Sequence, residues 1–411
     1  MQVVYERCCG LDVHKRQVVA CVLQTAPDGT VHRQVQTFTT MTADLLALDD
    51  WLRQLGVEQI ALESTGVFWR PVFNLLEDGR TIVLVNAQHM RAVPGRKTDV
   101  KDSEWIADLL RHGLLQPSFI PPKPIRELRE LTRYRKTLVA ERADLVNRVQ
   151  KVLETANVKL AAVATDVLGK SGRAMLDAMV SGETDAGTLA ELARGRLRSK
   201  LPALRQALEG RVEAHHRFLL ARLLEHIDFL EATIQQVQEE IDGRMGPYAE
   251  AIARLQTIPG VGPLAAATIV AEIGIDMSRF PTAKHLASWA GLCPGHKESG
   301  GKRLSGKTRK GDVWLRAVLL EVAWAIAHTK DNYLVAQFRR LAQRRGLKRA
   351  ALAIAHSVLG ISYHLLREGT TYKDLGADYF EQVDKAKIER HHVRRLEQLG
   401  YTVTLNPARA A

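Results

Sequence analysis

Asp12 and Glu63 stand inside apolar, strand-like runs, and Asp99 and Asp102 lie three apart in Lys97-Thr98-Asp99-Val100-Lys101-Asp102. A carboxylate on an apolar strand is costly unless it has a partner. A spacing of three at a helix start puts both side chains on one side. Hard oxygen ligands of this kind suit one or two Mg²⁺ ions. Two such ions can activate a nucleophile and stabilise the leaving oxygen of a phosphodiester. Each acid alone also has a plainer reading, with Asp102 a helix N-cap and Asp99 a turn residue. Glu104 and Asp108, on the same helix as Asp102, read as surface residues.

A second chemical stretch begins at Ser299-Gly300-Gly301, a polar loop followed by Lys302, Arg303, Lys307, Arg309 and Lys310 and then a helix with Trp314 and Arg316. A serine on a glycine-rich loop can approach a phosphate closely. Neighbouring cations would favour its alkoxide and the charge that develops on phosphorus. By residue type alone, such a Ser-Gly-Gly stretch is usually just a flexible loop. A third stretch, Ile258-Pro259-Gly260-Val261-Gly262-Pro263, leads into an apolar helix over 264–273. This predicts a helix-hairpin-helix turn, in which Gly260 and Gly262 let amides at a helix N-terminus approach a phosphate. The alternative is a tight turn with no ligand.

Charge supports a polyanion partner. The 411 residues carry a net +12, but residues 1–112 hold 12 Lys/Arg against 14 Asp/Glu, a net of −2, and residues 296–350 hold 14 against 4, a net of +10. A basic block this concentrated is the footprint of nucleic acid, although a merely solvated face has the same composition. No apolar run reaches membrane-spanning length, and Met1 opens onto a strand-like segment, not a signal peptide. Cys8, Cys9, Cys21 and Cys293 have no metal-knuckle spacing, so a reducing cytoplasm is expected.

The elements that must position these residues follow from periodicity. Strands are predicted over 3–13, 18–23, 31–38, 59–63 and 81–85, with helices over 42–55, 67–77 and from 102 to Gly113. This βββ-α-β-α-β-α order predicts an α/β domain with a mixed sheet, the order of an RNase H-like fold. Prolines at 117, 121, 122 and 124 close it. Two long helices, 125–156 and 213–244, carry heptads (Leu131, Leu138, Leu145, Val152; Leu220, Ile227, Ile234, Ile241), which suggests an antiparallel coiled-coil hairpin or an oligomer seam. Residues 165–210 between them carry no chemical motif. The expected domains are 1–118, 119–250, a mostly helical 251–380, and a basic tail 381–411.

Taken together, Gly10-Leu11-Asp12-Val13-His14-Lys15, Glu63-Ser64-Thr65-Gly66 and the Asp99/Asp102 motif resemble the DEDD transposases of bacterial insertion sequences, the one-ten family with its one-eleven-eleven subgroup. Ile258-Pro259-Gly260-Val261-Gly262, Ala287-Ser288-Trp289-Ala290-Gly291-Leu292-Cys293-Pro294, Ser299-Gly300-Gly301 and Arg345-Gly346-Leu347-Lys348-Arg349-Ala350 are similar to the second half of that family, in the same order. The resemblance implies a RuvC-like N-terminal domain, a coiled coil and a C-terminal transposase domain. It implies that Asp12, Glu63, Asp99 and Asp102 bind Mg²⁺, and that Ser299 forms a covalent phosphoserine link to DNA. It further implies a bridge RNA pairing with donor and target DNA, and a tetramer whose composite sites join the acids of one subunit to the serine of another. A nucleoid-associated cytoplasmic location accompanies these. One position departs, with Glu298 standing before Ser299 where many relatives carry Gln.

The residues by themselves support metal-dependent phosphoryl transfer on a polyanion. Strand exchange through Ser299 is one form of it. A RuvC-like junction-resolving nuclease using metal-activated water, with a structural Ser299, is a second. The rival from another class is a nucleic-acid-binding scaffold whose acids are structural and which cleaves no strand.

Overall fold

The protein is described from a computed structural model, which covers residues 2–64, 66–86, 102–295, 297–308 and 310–405; the side chains of Lys297, Ser299, Arg303, Leu304 and 384–388 lie outside that description. The chain forms two compact units, one ending at Ile120 and one beginning at Pro121.

The first unit is a five-stranded sheet in the order β3-β2-β1-β4-β5. Its elements are β1 (Arg7–Val13), β2 (Gln17–Thr25), β3 (Val31–Thr39), α1 (Thr42–Gln54), β4 (Gln59–Glu63), α2 (Trp69–Leu76), β5 (Thr81–Val85) and α3 (Asp102–Arg111). β1, β2 and β3 pair antiparallel, whereas β1–β4 and β4–β5 pair parallel, so the sheet is mixed. β3 is exposed along its length except at Phe38, as an edge strand of polar composition should be. Period-two alternation sorts the core. Cys9, Leu11, Ile60 and Leu62 bury against Leu45, Leu48 and Leu52 of α1 and Val72 and Leu76 of α2. Cys8 and Ala61 face the other way, onto Ile106, Ala107 and Leu110 of α3.

The second unit is helical apart from one hairpin. α4 (Lys123–Thr155) and α5 (Ala214–Met245) run antiparallel, since Glu127 pairs with Arg244 at 2.9 Å and Arg142 with Glu231 at 2.7 Å. Leu138, Leu145, Val149 and Leu153 pack with Leu220, Leu224, Ile227 and Leu230 between them. The intervening segment supplies Met175, Leu176, Met179, Leu189 and Leu204 to the same core. Its short helices therefore have a packing role that its small-residue composition did not signal. Beyond α5 come α6 (Ala249–Gln256), α7 (Pro263–Ile273), α8 (Ala283–Trp289), the hairpin β6 (Lys297–Ser299) and β7 (Lys302–Ser305), then α9 (Val313–Ala327), α10 (Tyr333–Arg345), α11 (Leu347–Glu368) and α12 (Tyr379–Gln398). None of the described helices is long and apolar enough to cross a membrane.

α4 is tied into this helical body by charge. Glu272 of α7 is fully buried, and Arg129 and Arg133 of α4 reach it at 3.1 and 2.7 Å. Burial holds the Glu272 carboxyl above its ordinary range, and the Arg133 guanidinium offsets only part of that rise. Arg133 also bonds Asp312 at 2.7 Å, and Asp312 caps α9 by accepting from the N–H groups of Trp314 and Leu315.

Candidate active site

In the first unit, β1 and β4 run parallel with Leu11 opposite Leu62, so Asp12 and Glu63 follow side by side at the strands' carboxyl ends. Alternation turns both toward the face covered by α3. Ligands in open sheets with parallel strands gather at this edge. Asp102 opens α3 on that same face. The approach of α3 depends on Gly10: a Cβ there would lie 2.3 Å from the Ser103 carbonyl oxygen and 2.4 Å from the Ala107 nitrogen. No other residue lets the helix come so near the strand. Gly10, two residues before Asp12, is thus a positioning residue whose role its own sequence context does not reveal.

The structure brings Asp12, Glu63 and Asp102 to one face, while Asp99 lies outside the described residues. Among the described residues, the three carboxylates do not close to within 4.8 Å of one another; only Glu213, His215 and His216 do so. That trio has a local explanation. His216 accepts the Glu213 N–H at 3.2 Å in a capping box at the start of α5. His14, also unassigned from sequence, holds Asp12 at 3.0 Å through Nε2. Glu104 pairs with Arg33 of the edge strand at 2.7 Å, an ion pair that ties α3 to β3. As a donor set, acids at adjacent strand ends with hard oxygens fit a divalent cation.

In the second unit, Ser299-Gly300-Gly301 is more ordered than the predicted loop. Ser299 pairs with Lys302 across a two-residue turn, with Gly300 and Gly301 at φ +55° and +74°. Two consecutive left-handed residues make the turn whose twist matches a hairpin, and glycine adopts it without strain. Glu298 sits opposite Arg303 in the ladder, so the departure from Gln places an acid at a register position facing a basic residue. At the stem, the Gly295 N–H bonds the Lys307 carbonyl at 3.0 Å, and Arg316 bonds the Thr308 hydroxyl at 3.0 Å. Lys302, Lys307 and Lys310 are exposed, and Arg309 lies outside the described residues.

The two glycines of the third motif differ in role. Gly260, at φ +80°, turns its α-carbon into α9, where a Cβ would meet Ile326 Cγ1 at 2.7 Å. That is a packing reason for glycine, independent of any ligand. Gly262 precedes α7, has open space around its α-carbon, and no side chain caps the helix there.

Comparison with known proteins meets the chain at these regions. A family profile for DEDD transposases of IS110 type, described as "Transposase", matches residues 9–158, and one described as "Transposase IS116/IS110/IS902 family" matches residues 252–339. Similar proteins include a "Probable family 20 transposase" of Pseudomonas aeruginosa, 29% identical over 79% of this chain and 88% of that one. The "Transposase for insertion sequence element IS1111A" of Coxiella burnetii is 27% identical over 71% and 72% of the two chains. The "Transposase for insertion sequence element IS1328" of Yersinia enterocolitica is 27% identical over 38% and 47%. The chain that carries the acidic sheet edge and the basic hairpin is thus an enzyme that moves DNA, a transposase. Within that class the chain belongs to the IS110 family, in which the DEDD acids imply dependence on a divalent metal.

Proposed function

We propose that this transposase excises and inserts an insertion sequence by strand exchange, with Ser299 as nucleophile and Asp12, Glu63, Asp99 and Asp102 as the Mg²⁺-binding set. The observation that carries the reading is the placement of Asp12 and Glu63 at the carboxyl ends of parallel β1 and β4, on the face where Gly10 admits α3. Mg²⁺ bound there would supply positive charge for activating a nucleophile and stabilising a leaving oxygen.

The chain's own residues supply the exchange. The serine oxygen forms a bond to phosphorus as the bond from phosphorus to one DNA oxygen breaks, and the serine proton ends on the departing DNA oxygen. The hydroxyl of a second strand then attacks the same phosphorus, restores the serine hydroxyl and joins the new strand. Phosphodiester number is conserved, so no hydrolysis is needed. Lys302, Arg303, Lys307, Arg309 and Lys310 neutralise backbone phosphates beside the serine, and the N-terminus of α7 at Gly262 binds another. A bridge RNA pairing with donor and target, and a homotetramer, belong to the same proposal and are supported by the family's sequence motifs.

Junction PCR for the excised circle, in cells carrying the gene with its native flanks, tests the reading. The circle is expected from wild type and absent from both Ser299→Ala and Asp99→Asn. A circle that persists in Ser299→Ala but not in Asp99→Asn would replace the serine mechanism with metal-driven cleavage, as in a junction-resolving nuclease.

A further inference from the structure

A cavity of about 370 Å³ opens among α4, the start of α7 and α9. That size falls in the range of small-ligand pockets, roughly 300–1,000 Å³. Val139, Leu264, Val318 and the indole of Trp314 give it an apolar lining. Charge enters from α4 as Arg133, Arg135 and Lys136. Two of these cations are already engaged, Arg133 with Glu272 at 2.7 Å and Lys136 with Glu321 at 3.0 Å. Arg135 differs, because its Nε is buried and has no hydrogen-bond partner. A buried donor without an acceptor is unfavourable and marks a place where a ligand atom would be stabilised. Gly262 and Pro263 also line the cavity, so the uncapped N-terminus of α7 borders it.

An apolar slot with one aromatic wall, one unmatched guanidinium donor and an anion-favouring helix terminus matches a nucleotide better than a purely apolar guest. Bases taken out of a stack are held in this manner, between aromatic or apolar side chains with hydrogen bonds to their edges. Strand exchange separates paired strands and so creates unpaired nucleotides. We propose that the cavity receives one unpaired nucleobase against Trp314, its edge accepting from the Arg135 guanidinium and its phosphate at the N-terminus of α7. The phosphate part rests on the reading of the Gly262 turn as a backbone contact.

The test measures fluorescence anisotropy of full-length protein with a thymidine 12-mer and with a base-free phosphodeoxyribose 12-mer, and repeats it with the ribo-oligonucleotide. Wild type is expected to prefer the base-bearing strand about tenfold. Trp314→Ala and Arg135→Met should bring that ratio close to one with base-free affinity unchanged, and Trp314→Phe should retain most of it. The deoxy and ribo arms show which nucleic acid supplies the base. Base-dependent binding with none to the base-free strand would keep the base pocket and remove the phosphate contact. An unchanged ratio in Arg135→Met and Trp314→Ala, with wild-type melting temperatures, would overturn the proposal. So would an intact ratio accompanied by a changed oligomeric state, since the cavity would then seat a second copy of the chain.

Discussion

The acidic edge of the first unit and the serine hairpin of the second are held in place by opposite means. Asp12 and Glu63 inherit their positions from a sheet buried on both faces, where side chains of three helices fill the space around β1 and β4. Ser299 stands at the end of a three-residue strand whose shape comes from two glycines in a turn exposed to solvent. One candidate half-site is fixed by packing and the other by backbone conformation. Substitutions that disturb positioning should therefore be felt as lost stability in the first unit, and mainly as lost activity in the second.

Gly10→Val should have the largest effect. Its Cβ would press on backbone atoms at 2.3 and 2.4 Å, which cannot give as a side-chain tip can. Overpacking of this kind is expected to cost about 3 kcal/mol, read as a lower denaturation midpoint, with excision lost as well. A wild-type midpoint would show that the packing of α3 does not position the acids. The hairpin equivalent, Gly300→Ala with Gly301→Ala, should cost about 2 kcal/mol within the turn, roughly 1 per left-handed residue. The exposed hairpin should give way locally before that cost reaches the helical body, so the global melt should barely move while the excised circle disappears. Gly300→Asn should keep the circle, because Asn tolerates the left-handed conformation; loss of the circle there would point to a role for Gly300 beyond its φ.

Smaller effects separate the halves electrostatically. Lys302→Ala with Arg303→Ala should lower DNA affinity and flatten the slope of log K against log salt by roughly 1.8, about 0.9 for each phosphate no longer neutralised. An unchanged slope would mean that these residues do not meet the DNA backbone. The smallest effect concerns the thiols of the sheet. Burial pushes Cys8 up to about 12 and Cys21 to about 11, and raises Cys9 well above the ordinary thiol range. Folded pKa values above the unfolded one mean that their contribution to stability is present at neutral pH and lost as pH climbs through the folded values. At pH 8 a thiol reagent should modify Cys293 alone in the native protein, and all four cysteines after unfolding. Native labelling of Cys21 would show that the sheet opens on that side.

Much of the first unit was legible because its strands alternate cleanly, and β4 and β5 fall where the pattern predicts. Asp12 and Glu63 stood out for the same reason, as charges in apolar runs. Gly10 did not, because its role depends on α3, more than ninety residues later in the chain. Ser299-Gly300-Gly301 read as a loop since a hairpin with a three-residue strand offers too few residues to show a period. Gly260 illustrates a different limit: a turn glycine looks alike in sequence whether it admits a phosphate or, as here, a neighbouring helix. Arg135 and Glu272 were invisible among many charges, because burial without a partner, or with two, is decided by elements far apart in sequence.

The paired helices α4 and α5 also set a rule for changes of length. At 1.5 Å per residue the 33 residues of α4 extend about 50 Å, a reach comparable to about fifteen base pairs of duplex. The clamp on Glu272 grips this arm near one end, and the cluster of short helices closes the other. Removing three or four residues from each helix would swing the far end around the axis and break the shared seam. Removing seven would turn it by only about 20°. A shortened or lengthened arm that still folds should therefore differ by whole heptads in both helices at once, which makes its reach adjustable in steps of about 10 Å.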